Sequence, residues 1–170
     1  MLSFLPDTLR GVLIVLIIML NTIVCSPFLF SAALLKALLP IPALSAICTK
    51  IAIQIATFWV GVNSSMLTLF LKIDWRVEGI EGLSKDDWYL VNCNHQSWAD
   101  IPVVQKVFNR KIPMLKFFLK QELIWVPLLG LCWWALDFPF MKRSTPEQIK
   151  NNPSLAGKDL EVTRKACEKF

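Results

Sequence analysis

The stretch VNCNHQSWAD, residues 91–100, contains the only histidine of the chain, His95, and an aspartate five positions later, Asp100. The residues before it, WYLVNCN (88–94), form a short apolar run that is typical of a buried strand, and those after it, DIPVVQKVFNR (100–110), are typical of a helix. This order predicts that His95 lies on the loop that leaves a strand. In α/β folds, ligands gather at the carboxyl ends of strands.

The remainder of residues 73–170 alternates in the same way, which predicts an α/β domain. KIDWRVEGIEGL (72–83), KIPMLKFF (111–118) and FPFMKR (138–143) are strand-like. LKQELIWVPLLGLCWWALD (119–137) predicts a helix interrupted at Pro127 and Gly130. NPSLAGKDLEVTRKACEKF (152–170) predicts a helix, with Ser154 as its N-cap.

Residues 1–72 have a different composition. The chain is uncharged from Gly11 to Leu35 and again from Ile51 to Leu71, and a helix of roughly 20 apolar residues spans a bilayer core. The segment between them, KALLPIPALSAICTK (36–50), predicts a turn, so residues 1–72 are interpreted as a membrane-anchoring helical hairpin. A two-span hairpin with a cytoplasmic domain would place Lys36 and Lys50 outside, against the positive-inside rule. We therefore favour a hairpin immersed in one leaflet.

The formal net charge is +5, and the excess lies just downstream of His95. Residues 106–143 contain seven basic and two acidic residues, whereas residues 1–105 are close to neutral. Four of these cations (Lys106, Arg110, Lys111 and Lys116) predict either a docking face for an anionic partner or lipid, or an ordinary solvated face. We expect no nucleic-acid partner.

The five cysteines are odd in number and form no C-x-x-C pair, which favours reduced thiols.

His95 and Asp100 have two readings from the residues alone. A histidine acts as a general base when a second group fixes its tautomer and stabilises the imidazolium, and Asp100 is a candidate for that group. Alternatively, Asp100 is an N-cap of the following helix. A further alternative is a Cys93–His95 pair that forms an acyl-enzyme, against which stands a merely structural Cys93 in a buried strand.

NHQSWAD resembles the N-H-x-x-x-x-D signature of the glycerophospholipid (lysophosphatidic acid) acyltransferases. KQELIWVPLLG (120–130) is similar to a second stretch of that family, K-x-E-L followed by P-x-x-G. FPFMKR looks like a third, in which an arginine follows an apolar strand; the family usually has an acid before that arginine, and here it is Lys142. The resemblance runs from about Asp74 to the end of the chain and is strongest to a bacterial inner-membrane branch.

The resemblance implies a role for each matching residue. His95 would deprotonate the hydroxyl of a lysophospholipid, whose oxygen would attack the thioester of acyl-CoA or acyl-carrier protein, and Asp100 would orient His95. Asn94, Lys120 and Arg143 would bind the acceptor. It implies no metal or other cofactor, conversion of lysophosphatidic acid to phosphatidic acid, and a catalytic domain on the cytoplasmic side of the bacterial inner membrane.

One family signature has no counterpart. A strand close to E-G-T-R, which follows the third stretch in the family, is not present in these 170 residues. We therefore expect an N-terminal part of an acyltransferase, weakly active or inactive alone. The alternative is a catalytically inactive, membrane-anchored lipid-binding protein or pseudoenzyme.

Overall fold

The computed structural model describes residues 5–39, 41–142, 145–155 and 157–169. The chain divides into two compact units, Met1–Leu115 and Lys116–Phe170. The first contains the helical hairpin together with the loop that bears His95, and the second contains a short parallel ladder with helices.

The hairpin consists of α1, Asp7–Leu38, and α2, Pro42–Phe70. Its turn is shorter than the sequence predicts, because α1 continues through Lys36 and α2 begins at Pro42, which suits the first position of a helix. Both helices are long and apolar enough to cross a membrane. Most of their large apolar side chains point outward, such as Phe28 and Leu38, which are 64% and 66% exposed. The core helices of a soluble protein would bury such side chains.

Small and polar side chains fill the interface between α1 and α2. Cys25, Ala32, Ala52 and Ala56 are buried there, and small residues let helix backbones approach closely. The Asn21 side-chain amide donates to the Asn63 side-chain oxygen at 2.9 Å. The same group donates to the Trp59 carbonyl at 3.1 Å, and the Trp59 indole donates to the Thr22 hydroxyl at 2.9 Å. These directional bonds fix the rotation of one helix against the other.

The strands predicted at 72–83 and 88–94 are not formed, and residues 71–96 contain no helix or strand. A strand needs a neighbour to accept and donate its backbone hydrogen bonds, and no described segment pairs with this one. Its apolar side chains are correspondingly open: Trp88 is 80% and Leu90 82% exposed. The predicted helix is confirmed as α3, Asp100–Phe108.

The second unit begins with β1, Leu119–Lys120, which pairs in parallel with β2, Phe140–Met141. A 3-10 helix, Gln121–Trp125, and α4, Leu129–Ala135, connect them. Residues 111–118, which were predicted to form a strand, contain none, and β1 begins at the next residue, Leu119. The strand predicted at 138–143 is present as β2. The α/β expectation is met only loosely, because the described residues are rich in helix and contain two short strands.

Two helices complete the second unit, α5 at Pro146–Asn151 and α6 at Lys158–Lys169. Thr145 caps α5 through a reciprocal pair of hydrogen bonds with Gln148. The prediction of Ser154 as the N-cap of the last helix is wrong, because Ser154 lies in a separate 3-10 turn and α6 begins only at Lys158.

Candidate active site

His95 and Asp100 lie together on the loop that enters α3. The Asp100 Oδ2 atom is 3.3 Å from His95 Nδ1. The same oxygen accepts the backbone N–H of Gln96 at 2.6 Å and that of Ser97 at 2.7 Å. One carboxylate oxygen therefore gathers three donors from the residues just before it, and it closes a loop of six residues around the histidine.

The hydrogen bonds to Asp100 determine its charge and the state of the histidine. The N–H groups of Ser97 and Gln96, and then His95, lower the pKa of Asp100, so it is ionised at neutral pH. An ionised carboxylate only accepts hydrogen bonds, so the contact with Asp100 favours the tautomer in which Nδ1 of His95 carries the proton. The lone pair of Nε2 is then left for a substrate, as a general base requires.

The N-cap alternative for Asp100 does not hold. Asp100 is the first residue of α3, the capping position is Ala99, and no side chain caps this helix. The carboxylate instead turns back to residues 95–97 because the bend at Ser97 presents their N–H groups to it. The side chain of His95 is 61% exposed, whereas that of Asp100 is 28% exposed, so the imidazole is the accessible member of the pair.

Cys93 does not form the strand-based pair with His95 that was the alternative to a structural cysteine. The segment is not a strand, so the two residues share no strand face, and Cys93 is exposed rather than buried. Neither a Cys93–His95 catalytic pair nor a buried structural cysteine is present in this geometry.

α3, which carries Asp100, is held against α2 by two polar side chains. The Lys106 ammonium group donates to the Ser64 carbonyl at 3.3 Å and to the Thr68 hydroxyl. The same ammonium group lies 5.0 Å from the centre of the Trp75 ring. The Asn109 amide donates to the Thr57 carbonyl at 3.4 Å.

This role of Lys106 is absent from the sequence analysis, which placed the residue on a docking or solvated face. The only signal in the sequence is the hydroxyl of Thr68, because the other contact goes to the backbone carbonyl of Ser64, which any residue would offer.

The predicted acceptor-binding residues occupy different parts of the chain. Asn94 is exposed, directly before His95. Lys120 ends β1 in the second unit, where it is exposed and paired in register with Met141 of β2. Arg143 lies outside the described residues. The second and third sequence stretches are thus neighbours in one ladder, which no local pattern in the sequence indicated.

The glycine of the second stretch, Gly130, is required by the close packing around it. It is buried, and a Cβ atom at this position would overlap the backbone carbonyl of Ile124. The chain reverses here through Leu128, whose φ of 64° is left-handed. Only glycine lets the 3-10 helix and α4 approach this closely between the two strands.

A family model described as Acyltransferase matches residues 74–167. The match covers more than half of the chain and includes the loop with His95, so this chain belongs to the acyltransferase family. No curated protein and no solved structure matches it significantly.

Proposed function

We propose that this protein transfers an acyl group from a thioester donor, acyl-CoA or acyl-carrier protein, to the hydroxyl of a lysophospholipid. The observation that carries the proposal is the His95–Asp100 pair, with Nδ1 of His95 3.3 Å from Asp100 Oδ2 and the imidazole side chain largely exposed, inside the region matched by the family model. We further propose that the acceptor is lysophosphatidic acid, that the product is phosphatidic acid, and that the reaction serves phospholipid biosynthesis.

The proposed reaction needs only a proton acceptor and a correctly placed nucleophile. Nε2 of His95 takes the proton of the acceptor hydroxyl while the oxygen bonds to the thioester carbonyl carbon. The ionised Asp100 stabilises the imidazolium that forms. The carbon–sulfur bond then breaks, and His95 returns the proton to the leaving thiolate. Acid–base balance is complete without a metal or other cofactor.

An anionic acceptor suits the positive charge that follows the histidine. We assign the acceptor phosphate to Lys120 and Arg143, since lysine binds phosphate as a point charge and arginine binds it through two parallel hydrogen bonds. Asn94, exposed beside His95, is assigned to the acceptor as well. The β1–β2 ladder supports the assignment of Lys120, because this residue pairs with Met141 of the stretch that resembles the third family signature.

We also propose that the hairpin inserts into one leaflet of the bacterial inner membrane from the cytoplasmic side. α3 covers α2 between Thr57 and Thr68, and it brings the Lys106 ammonium group with it. That part of α2 is therefore unsuited to a hydrocarbon environment. From Pro42 to Thr57, α2 rises about 22 Å. This length matches one leaflet with its headgroups, about 20–22 Å.

The deciding experiment compares two variants of the full chain in isolated membranes, with radiolabelled acyl donor and lysophosphatidic acid. His95→Ala should abolish transfer, because no other histidine exists to replace the base. Cys93→Ser should keep it, because the direct mechanism forms no acyl-enzyme. Turnover that survives in His95→Ala would refute the base assignment, and loss in Cys93→Ser alone would favour a thiol mechanism. Lysophospholipid binding without turnover in any form would fit both the lipid-binding alternative and an acyltransferase part that is inactive alone, and turnover by a longer chain with an E-G-T-R-like strand would distinguish them.

A further inference from the structure

A cavity of about 300 Å³ lies in the first unit, between the middle of α2 and the turn that follows α3. Ile53 and Val60 of α2 form one wall, and Phe108 and Ile112 contribute to another. Gln54 and Thr57 of α2 line the cavity as well, so the wall on the hairpin side is mixed, whereas the lining from residues 112–115 is apolar throughout. A volume of this size is at the lower end of ligand sites.

Two cations, Arg110 and Lys85, also line this cavity. Both are exposed, and neither forms a hydrogen bond or ion pair with another described residue. Lys106, one turn earlier on α3, differs because its ammonium group is already bound to α2. The cavity therefore combines a mostly apolar lining with two available positive charges, a combination that suits an amphiphile with an anionic head.

The backbone at Arg110 is arranged for this position. Its φ is 64°, which lies in the left-handed region that is unfavourable for a residue with a Cβ atom. The guanidinium lies beside Gly61 of α2, where a Cβ atom would be 4.0 Å from Nη2. An unfavourable conformation thus brings the arginine back onto the hairpin, and such outliers concentrate at ligand sites.

The cavity is separate from the candidate base. Asp100 begins α3, whereas Phe108, which lines the cavity, ends it. The rise between these two positions is about 12 Å. A ligand in the cavity therefore contacts the end of α3 opposite to the end that orients His95.

From these observations we infer that the cavity binds an anionic phospholipid of the surrounding membrane. Its phosphate lies between Arg110 and Lys85, and its acyl chain runs past Ile53 towards the membrane-inserted part of α2. The inference rests on the membrane placement proposed above, since at that depth the two cations stand at the level of the lipid headgroups. The lipid is a resident ligand that seats α3 on the hairpin, not the acyl acceptor.

The test uses the full chain in phosphatidylcholine vesicles that contain phosphatidylglycerol with a photoreactive group in its acyl chain. Peptide mapping after illumination should find label on residues 53–60 or 108–115. Arg110→Gln and Lys85→Gln should each reduce this labelling by about tenfold, since each removes a charge-assisted contact to the phosphate. Arg110→Lys should retain most of it. Lys111→Gln is the matched control, because it removes a neighbouring exposed cation that does not line the cavity.

Several results would overturn the inference. These are equal labelling of Arg110→Gln and Lys111→Gln, equal labelling by a phosphatidylcholine probe, and full competition by an equal concentration of water-soluble glycerol phosphate. If Arg110→Gln does not fold, Lys85→Gln decides, because Lys85 lies in an exposed turn. Label on the outer faces of α1 and α2 without label in the cavity would refute the site while supporting the membrane placement. His95→Ala should lose acyl transfer and keep the label in the cavity. Labelling therefore tests the lipid site independently of the acyl-transfer proposal.

Discussion

Two substitutions of Asp100 separate the effect of its negative charge from the effect of the hydrogen bonds that it accepts. In Asp100→Asn, the side-chain carbonyl oxygen can still accept the N–H groups of Gln96 and Ser97 and the Nδ1–H of His95, but the negative charge is gone. In Asp100→Ala, the three hydrogen bonds are lost as well, so the loop around His95 opens.

The size of the two effects follows from the exposure of the pair. A general base contributes typically about 10²–10⁴ in rate. Because the His95 side chain is 61% exposed, water screens its attraction to the carboxylate, and we expect Asp100→Asn to slow transfer by about 10²-fold. Asp100→Ala should approach the full loss, about 10³–10⁴-fold, since the ring is no longer held.

The orientation of His95 can also be measured by NMR, without any enzymatic turnover. Because the chain has one histidine, nitrogen-15 NMR of labelled protein reports the His95 tautomer without overlap. The wild type should favour the Nδ1–H form by about tenfold at neutral pH, the effect of one charge-assisted hydrogen bond. Asp100→Ala should lose that preference. An Nε2–H ring in the wild type, or equal turnover of the Asn and Ala variants, would refute the reasoning.

The same NMR spectra, recorded over a range of pH, show how closure of the loop around His95 depends on pH. The pKa of Asp100 is lowered in the fold, mainly by the N–H of Ser97 and then that of Gln96. Its contribution to the loop is therefore complete above the ordinary aspartate pKa of about 3.9 and is lost as the pH falls through the lower, folded value. The loop should stay closed throughout pH 5–9 (about the range of any transfer assay).

Three further perturbations test other parts of the chain. Gly130→Ala should destabilise the second unit by about 1–3 kcal/mol, because the new methyl group meets backbone, whereas Gly11→Ala, with open space around it, should be tolerated; thermal resistance to proteolysis measures both. Lys106→Gln should speed hydrogen exchange in α3 because its bonds to α2 are lost, and unchanged exchange would contradict its positioning role. An alkaline phosphatase fusion at Ile41 should be inactive if the hairpin stays in one leaflet, and a strong periplasmic signal would rule out that topology.

The hairpin and α3 were predictable because their information is local. Long uncharged runs set the positions of α1 and α2, and DIPVVQKVFNR set that of α3. The turn was placed too widely because composition does not reveal that a helix continues through Lys36. The strands at 72–83 and 88–94 failed for a different reason: apolar alternation describes a surface, whereas a strand also requires a partner elsewhere in the chain.

The candidate site was predictable in its members and not in its geometry. The spacing of His95 and Asp100 suited both a catalytic pair and a helix cap, and only the position of the bend at Ser97 decides between them. The pairing of β1 with β2 depends on a crossover of residues 121–139, whose register no local pattern encodes. The contact of Lys106 with α2 joins residues about 40 positions apart and was likewise hidden.

The short loop of residues 95–100 also bears on the order in which the site assembles during folding. Its hydrogen bonds connect residues at most five positions apart, so they close without bringing distant parts of the chain together. The ladder that carries Lys120 must instead close over residues 121–139. Because the entropic cost of closure grows with loop length, the proton-handling pair can form earlier than the ladder does. A nascent chain emerging beside the membrane would thus have its base oriented before β1 and β2 have paired.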